Sequence, residues 1–241
     1  MTVAALVLGA GSGSRLRQST QRGGALPAKA FVPLAGKSLI ARSIDALCAS
    51  GACDVVQPVL PSADLARWPE IARELADPAR VRAPVPGGAT RQASARAGLA
   101  ALPSGVALVA VHDAARPLVL PADVARVVAA AREHGAALLA APLRDTIHRV
   151  EAGEIAATPP REAHVAALTP QVFRVELLRE ALDKAEQAGI VATDDAALVA
   201  RLGVKVRVVL GSPDNLKITT AADLLLAERL LAEREALAER T

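Results

Sequence analysis

Tyrosine is absent from the chain, and Phe31, Trp68 and Phe173 are its only aromatic residues. Three scattered rings cannot build the stacking platform on which single strands are read, so nucleic acid is not the expected ligand despite an isoelectric point near 9.2. Cysteine is equally scarce. Cys48 and Cys53 form neither a CxxC pair nor the dense framework of a stapled secreted domain, which argues against disulfides and a cysteine-held metal and for a reducing, cytoplasmic setting. No apolar run approaches the roughly 18 residues a membrane span needs, and the apolar opening TVAALVLGAG lacks the basic segment of a secretory signal. Neither sign of charge dominates: 28 Lys and Arg face 25 Asp and Glu, a formal net charge of +3. An enzyme of phosphorylated metabolites fits that balance, because guanidinium groups match phosphate oxygens.

What the chain has is apolar material, 52% of its 241 residues, enough for one large domain or two small ones. Residues 3–8 form an almost wholly apolar run that ends in glycines, the pattern of a strand buried on both faces of a parallel sheet. A helix over 37–49, with Leu39, Ile40, Ile44 and Leu47 on one face, and a strand over 54–60 complete a βαβ unit. Alternation continues through a helix over 62–75, a strand over 80–85, an Ala-rich helix over 91–102, a strand over 106–111, a helix over 121–134 and a strand over 136–140. This rhythm predicts a three-layer α/β fold, since each sheet face needs a helical cover. Strand order is not legible in it.

After Pro142 the rhythm breaks. Residues 146–150, 151–153 and 155 onward read as a hairpin or arm interrupted by Pro159-Pro160, placed either to cover a site or to embrace a second subunit. Helices over 172–187 and 195–201, a strand over 204–210 and a helix over 220–240, capped by Thr220, close the chain. The polar stretch from Gln18 to Ala28 reads as a mobile loop.

Chemistry gathers at the strand ends. In LGAGSGSRL, residues 8–16, Gly9, Gly11 and Gly13 permit a tight loop whose backbone N–H groups can approach a phosphate, and Arg15 adds a charged fork. The acid a dinucleotide site needs after the second strand is missing, and no GK[ST] follows. A purely structural turn is the competing reading. Lys29 can reach back over this loop, as a lid closing on a triphosphate does. In VAVHDAARPLV, residues 109–119, Asp113 is a candidate Mg²⁺ ligand and Arg116 a phosphate contact or a brace for Asp113, against the alternative of a structural ion pair in a turn. His112 reads as a hydrogen-bonding residue. SPDNLKITT, residues 212–220, offers Asp214 to Mg²⁺ or to a turn, and Lys217 to a phosphate. Arg144, Asp145 and Thr146 open the arm and Arg161 lies beyond it, donors arriving from outside the sheet. Thr193, Asp194 and Asp195 read mainly as a helix cap.

Taken together, LGAGSGSRL with Lys29, GGATRQASARAGL at 87–99, VHDAARPLV at 111–119, APLRDTIHRV at 141–150, ALTPQVF at 167–173, TDDAALV at 193–199 and DNLKITT at 214–220 resemble the 2-C-methyl-D-erythritol 4-phosphate cytidylyltransferase family along nearly the whole chain. The resemblance implies a single domain over 1–241 with a three-layer Rossmann-like nucleotidyltransferase fold, from which residues 142–166 protrude as a β-arm that interlocks a homodimer. It implies that CTP and methylerythritol phosphate give CDP-methylerythritol and pyrophosphate, with Mg²⁺ as cofactor. By motif, Arg15, Lys29 and Lys217 would surround the reacting phosphates, Ala10, Gly11, Gly88, Arg91 and Ser94 the cytidine nucleotide, and Asp113 and Asp214 the metal. Asp113, Arg116, Thr146 and Arg161 would meet the acceptor, the last two from across the dimer. The sequence departs from the family pattern at Leu8-Gly9, where Pro-Ala is usual, at the enlarged loop before Lys29, and at Ala89, where an acid is common. The competing readings are a cytidylyltransferase for another polyol phosphate, such as ribitol 5-phosphate, and, from another class, a dinucleotide-binding reductase.

Overall fold

Apolar residues at every position from Val3 on, rather than at alternate ones, bury β1 (Thr2–Leu8) on both faces and make it a central strand. A computed structural model describes residues 1–11, 14–19 and 28–238, with the side chains of Ser14, Arg15, Arg17 and Ala238 undescribed. Most of the loop expected over 18–28, and Gly13 of the glycine loop, therefore lie outside the described residues. After β1 the backbone forms α1 (Ser14–Ser19), a small hairpin of β2 (Pro33–Leu34) and β3 (Lys37–Ser38), and α2 (Leu39–Ala49). Ser38 caps α2 by accepting from the N–H of Ala41, so the helix starts two residues later than its pattern predicts.

β4 (Val55–Leu60) follows, then a 3-10 turn at Ser62–Arg67 and the short α3 (Trp68–Ala72), where one helix was expected. The strand expected over 80–85 shrinks to a bridge at Val81 and to β5 (Val85–Pro86), because Pro84 and Pro86 carry no N–H for a ladder. Next come α4 (Arg91–Ala100), β6 (Val106–Asp113), α5 (Pro121–His134) and β7 (Ala136–Pro142). Between β7 and β10 (Val165–Arg174) the chain makes an excursion carrying the hairpin of β8 (Arg149–Glu151) and β9 (Glu154–Ala157). Its end is followed by α6 (Val175–Gln187), α7 (Asp195–Ala200), β11 (Arg207–Leu210) and α8 (Ala221–Ala238).

The main correction to the sequence reading is β10. Residues 172–174, expected to begin a helix, complete a strand instead, and Phe173 is wholly buried in the sheet. Pro170 hid that strand. Its register against β7 shifts between Ala167 and Gln171, and such an irregularity is where a strand tolerates a residue without a donor.

Seven strands pair in the order β11-β7-β10-β6-β1-β4-β5, all parallel except β10, which runs antiparallel between β6 and β7. The crossover through α5 leaves a gap between β6 and β7, and the return of the excursion fills it. Val3, Ala5 and Val7 face α2 and α5 in one core layer, whereas Leu6 and Leu8 face the layer of α4, α6 and α7. Thus the three-layer expectation holds. α8 packs on a separate cluster built around Leu34, Leu39, Leu118 and Ile218. Thr220 caps it: the Asp223 N–H donates to Thr220 Oγ1, while the Asp223 carboxylate accepts from the N–H groups of Thr219 and Thr220. Among the described residues no helix is long and apolar enough to cross a membrane.

Close packing of α4 on the sheet sets where its first residue, Arg91, stands. A Cβ on Gly98 would come within 2.8 Å of Val59 and 3.2 Å of Leu6, so the helix can approach this closely only over a glycine. Gly98→Ala should therefore lower stability by about 1–3 kcal/mol despite its better helix propensity. Urea denaturation checks this, and a stabilised variant would contradict the packing.

Candidate active site

Parallel pairing brings the C-terminal ends of β1, β4 and β6 to one edge, with Leu8 level with Asp113 on one side and Val59 on the other. Function gathers at such an edge because the loops leaving parallel strands all project from it. The glycine loop begins there: the Gly9 N–H donates to the Val59 carbonyl at 2.8 Å, and the Ala114 N–H to that of Leu8 at 3.1 Å. From the far side comes the connection into α4. Gly87 lies so close to the glycine loop that a Cβ on it would sit 2.4 Å from the Ala10 Cβ and 2.8 Å from Ser94 Oγ. Thr90 caps α4, and Ser94 Oγ accepts from the Gly88 N–H.

These loops enclose a cavity of about 390 Å³. Ala10, Gly11, Gly88, Arg91 and Ser94, expected around the nucleotide, all line it. Lys29, Asp113 and Lys217 line it too. The backbone of Arg15 lies in α1, and its side chain falls outside the described part.

A row of alternating charge crosses the back of this cavity. Lys217 Nζ donates to Asp113 Oδ2 at 2.6 Å, Arg91 Nε donates to Asp113 Oδ1 at 3.1 Å, and Arg91 Nη1 donates to Asp195 Oδ2 at 2.6 Å. Asp113 and Asp195 are buried, and buried carboxylates persist as anions only when paired. Burial alone would raise the Asp113 carboxyl, but the positive charges of Arg91 and Lys217 hold it well below the usual carboxylate range. For Arg91, burial is outweighed by Asp195 and Asp113, so its cation is reinforced. Burial pushes the Asp195 carboxyl upward against the pull of Arg91. Arg91 Nη2 is buried without a hydrogen-bond partner among the described residues.

On the other side of the row lies a second cavity of about 220 Å³, lined by Arg116, Thr169, Gln171, Thr193 and Asp194. Arg91, Asp113 and Lys217 line it as well, so these three side chains form a wall shared by both cavities. Arg116 braces the surrounding loops, donating from Nη1 to the Asn215 carbonyl at 2.7 Å and contacting the Ala167 carbonyl, and burial lowers its pKa.

His112 lies behind the wall and is wholly buried. Its Nε2 faces the Arg116 carbonyl at 3.2 Å, which requires a proton there. Nδ1 is then the acceptor for the Thr169 hydroxyl at 2.9 Å, and Thr169 Oγ1 in turn accepts from the Asp113 N–H. Burial holds this neutral imidazole down to a pKa of about 4.

Three predicted residues stand apart within one chain. Thr146 is exposed on the excursion; Arg161 donates to the Arg144 carbonyl at 2.8 Å and lines a different cleft with Leu143 and His164. Asp214 faces Arg234 at 3.7 Å and is not among the described residues lining either of the two cavities that share the wall. Conversely, the sequence reading assigned no binding role to Thr169 or Gln171 and took Asp195 for part of a cap. Asp194 is the cap, accepting from the Ala197 N–H. A signal for Asp195 existed: it occupies the same helical phase as Leu198, Val199 and Leu202, and a carboxylate in an apolar stripe implies a buried partner.

The family model for 2-C-methyl-D-erythritol 4-phosphate cytidylyltransferase matches residues 3–233. A protein of that name from Nocardia farcinica is 44% identical over 239 residues, covering 98% of this chain and 96% of the relative. Another from Xanthomonas campestris is 42% identical, covering 97% and 86%. Among solved structures, the 2-C-methyl-D-erythritol 4-phosphate cytidylyltransferase of Thermus thermophilus superimposes with a TM-score of 0.72 at 37% identity, covering 95% of this chain and 98% of that one. The 4-diphosphocytidyl-2C-methyl-D-erythritol synthase of Anaerococcus prevotii gives 0.82 at 26%, covering 96% and 98%.

The neutral burial of His112 has a consequence for stability. An unfolded histidine takes up a proton near pH 6.5, before the folded one does. The stabilisation is thus complete above that pH and is lost on acidification toward about pH 4, at about 1.4 kcal/mol per pH unit. Between about pH 7 and about pH 5, urea denaturation should show a larger loss for the wild type than for His112→Asn. Equal losses would mean that His112 is not held neutral.

Proposed function

The chain belongs to the 2-C-methyl-D-erythritol 4-phosphate cytidylyltransferase family, and from that premise we propose that it transfers the cytidylyl group of CTP to 2-C-methyl-D-erythritol 4-phosphate, giving CDP-methylerythritol and pyrophosphate on the non-mevalonate route to isoprenoid precursors. The observation that carries this reading is the shared wall of Arg91, Asp113 and Lys217, with one cavity for each of two phosphate-bearing substrates. The triphosphate sits against Gly11, Gly88 and Ser94. The acceptor phosphate sits on the side of Thr169 and Asp194.

A phosphomonoester is mainly dianionic near neutral pH, its second pKa being about 6, so it attacks the α-phosphorus without a protein base. A new O–P bond forms, the bond to the α,β-bridging oxygen breaks, and pyrophosphate leaves with that electron pair. Lys217, Lys29 and Arg15 offset the charge that builds on the transferred group. Asp113 orients Lys217 rather than taking a proton, since both its oxygens are engaged by cations. No covalent enzyme intermediate is needed. Neither Cys48 nor Cys53 lines either cavity, and burial pushes their thiols up to about 11 and about 12, which suits inert cysteines of a reducing cytoplasm.

Mg²⁺ fits as an ion brought in on the nucleotide. It is commonly held by one or two carboxylates with phosphate oxygens and water, and Asp113 is the one carboxylate among the described residues lining the first cavity. Among the described residues no cluster of three or more metal-binding side chains offers a closed protein cage. When bound, the ion would supply charge neutralisation on the triphosphate; Asp214, expected as a second ligand, faces Arg234 and lines neither cavity.

We assign residues 142–166 to a dimerisation arm. Val150 and Ile155 pair across its hairpin while 58% and 63% exposed, an apolar face that two strands cannot bury by themselves. In a symmetric dimer the arm would carry Thr146 and Arg161 to the partner's second cavity, each acceptor site being built from two chains.

Purified protein with CTP, Mg²⁺ and methylerythritol phosphate should release pyrophosphate, and ribitol 5-phosphate should be the poorer acceptor; equal turnover of the two would overturn the acceptor assignment. Arg161→Ala should stay dimeric and bind CTP normally while its acceptor KM rises on the order of 10-fold or more. Mixed dimers of Arg161→Ala and Lys217→Ala chains should regain one intact site, and no recovery in verified mixed dimers would contradict sharing across the subunits.

A further inference from the structure

Asp195 touches neither substrate in the transfer just described. It lines neither cavity, is only 1% exposed, and yet carries a charge into the layer between α7 and the sheet. Its placement is rigid. Gln171 of β10 donates to Asp194 at 2.8 Å and accepts from the Ala196 N–H at 2.9 Å, pinning the first turn of α7 on both sides of Asp195. From there the Asp195 carboxylate holds Arg91 Nη1 at 2.6 Å, pulling on the edge of the guanidinium opposite the Nε and Nη2 pair; Asp113 is met through Nε at 3.1 Å, Nη2 beside it has no hydrogen-bond partner among the described residues, and the second Asp113 oxygen is left to Lys217. Without that restraint, the planar fork of Arg91 matches a carboxylate in two-pronged fashion. It would then compete with Lys217 for Asp113.

We propose that Asp195 is a positioning residue for cytidylyl transfer: it holds Arg91 back from two-pronged capture of Asp113 and so keeps Lys217 aimed at the transferred phosphate. This rests on the reaction assigned above. Asp195 acts through Arg91, so its effect must vanish when Arg91 is gone, whereas a residue that only supports the fold would weaken both backgrounds alike.

A kinetic double-mutant cycle tests this, with CTP, Mg²⁺ and methylerythritol phosphate as substrates. Asp195→Asn keeps the shape and removes the charge. It should lower kcat on the order of 10-fold to 100-fold while both KM values move by less than about 3-fold. In an Arg91→Met chain, adding Asp195→Asn should change kcat by less than about 2-fold. An unchanged kcat in Asp195→Asn, or additive losses in the double variant, would overturn the proposal. Arg91→Lys supplies a second background: lysine keeps the charge but has no planar fork, so adding Asp195→Asn to it should again change kcat by less than about 2-fold, and a larger loss overturns the proposal independently. Wild-type turnover measured in parallel keeps the two levels apart. Its absence overturns the assigned reaction and the positioning role with it, whereas normal wild-type turnover with either negative result overturns the positioning role alone.

Discussion

The carboxylate of Asp113 ends β6 with Arg91 on one oxygen and Lys217 on the other, and the site is arranged around that double ion pair. An anion withdrawn from water costs several kcal/mol unless it is paired and hydrogen-bonded. Cations must therefore reach this strand end from elsewhere in the chain. One comes on the first turn of α4, pressed to the sheet over Gly98, and the other on the loop after β11. The parallel sheet makes their meeting possible because it aligns the ends of β1, β4 and β6 at one edge.

From this pairing the division of labour follows. A row of fixed charges at the strand ends separates one cavity beside the glycine loop from another beside β10 and α7. Phosphoryl chemistry asks chiefly for positioning and for neutralisation of charge, and a rigid wall of alternating charge offers both without reorganising during the reaction. Behind it, Thr169 ties the Asp113 backbone to neutral His112, and Asn215 donates to the Thr169 carbonyl at 2.9 Å. The polar groups behind the wall thus form one connected network.

Much of the layer architecture was legible because strand runs and helical stripes alternate up to Pro142, except where the helix over 62–75 is broken and the strand over 80–85 shrinks between prolines. The first wall residue, Asp113, was visible as an acid at the end of an apolar strand, and Lys217 as a base after another. What stayed hidden depended on partners remote in sequence. β10 was masked by Pro170, whose cost is absorbed by a register shift that only the β7 pairing reveals. Asp195 resembled an ordinary helix cap, since its real partner lies 104 residues away. Thr146 and Arg161, expected at the acceptor, stand outside the two cavities that share the wall in a single chain, because the excursion that carries them projects from the sheet.

The most direct measurement is a crystal structure with both substrates in place, using methylerythritol phosphate and a CTP analogue whose α,β-bridging oxygen is replaced by methylene so that transfer cannot occur. The account predicts the triphosphate against Gly11 and Gly88, the acceptor phosphate on the Thr169 and Asp194 side, and the α-phosphorus beside Lys217, with Arg91 still joined to Asp195. Both ligands in one cavity, or an acceptor phosphate bound away from the wall of Arg91, Asp113 and Lys217, would contradict it.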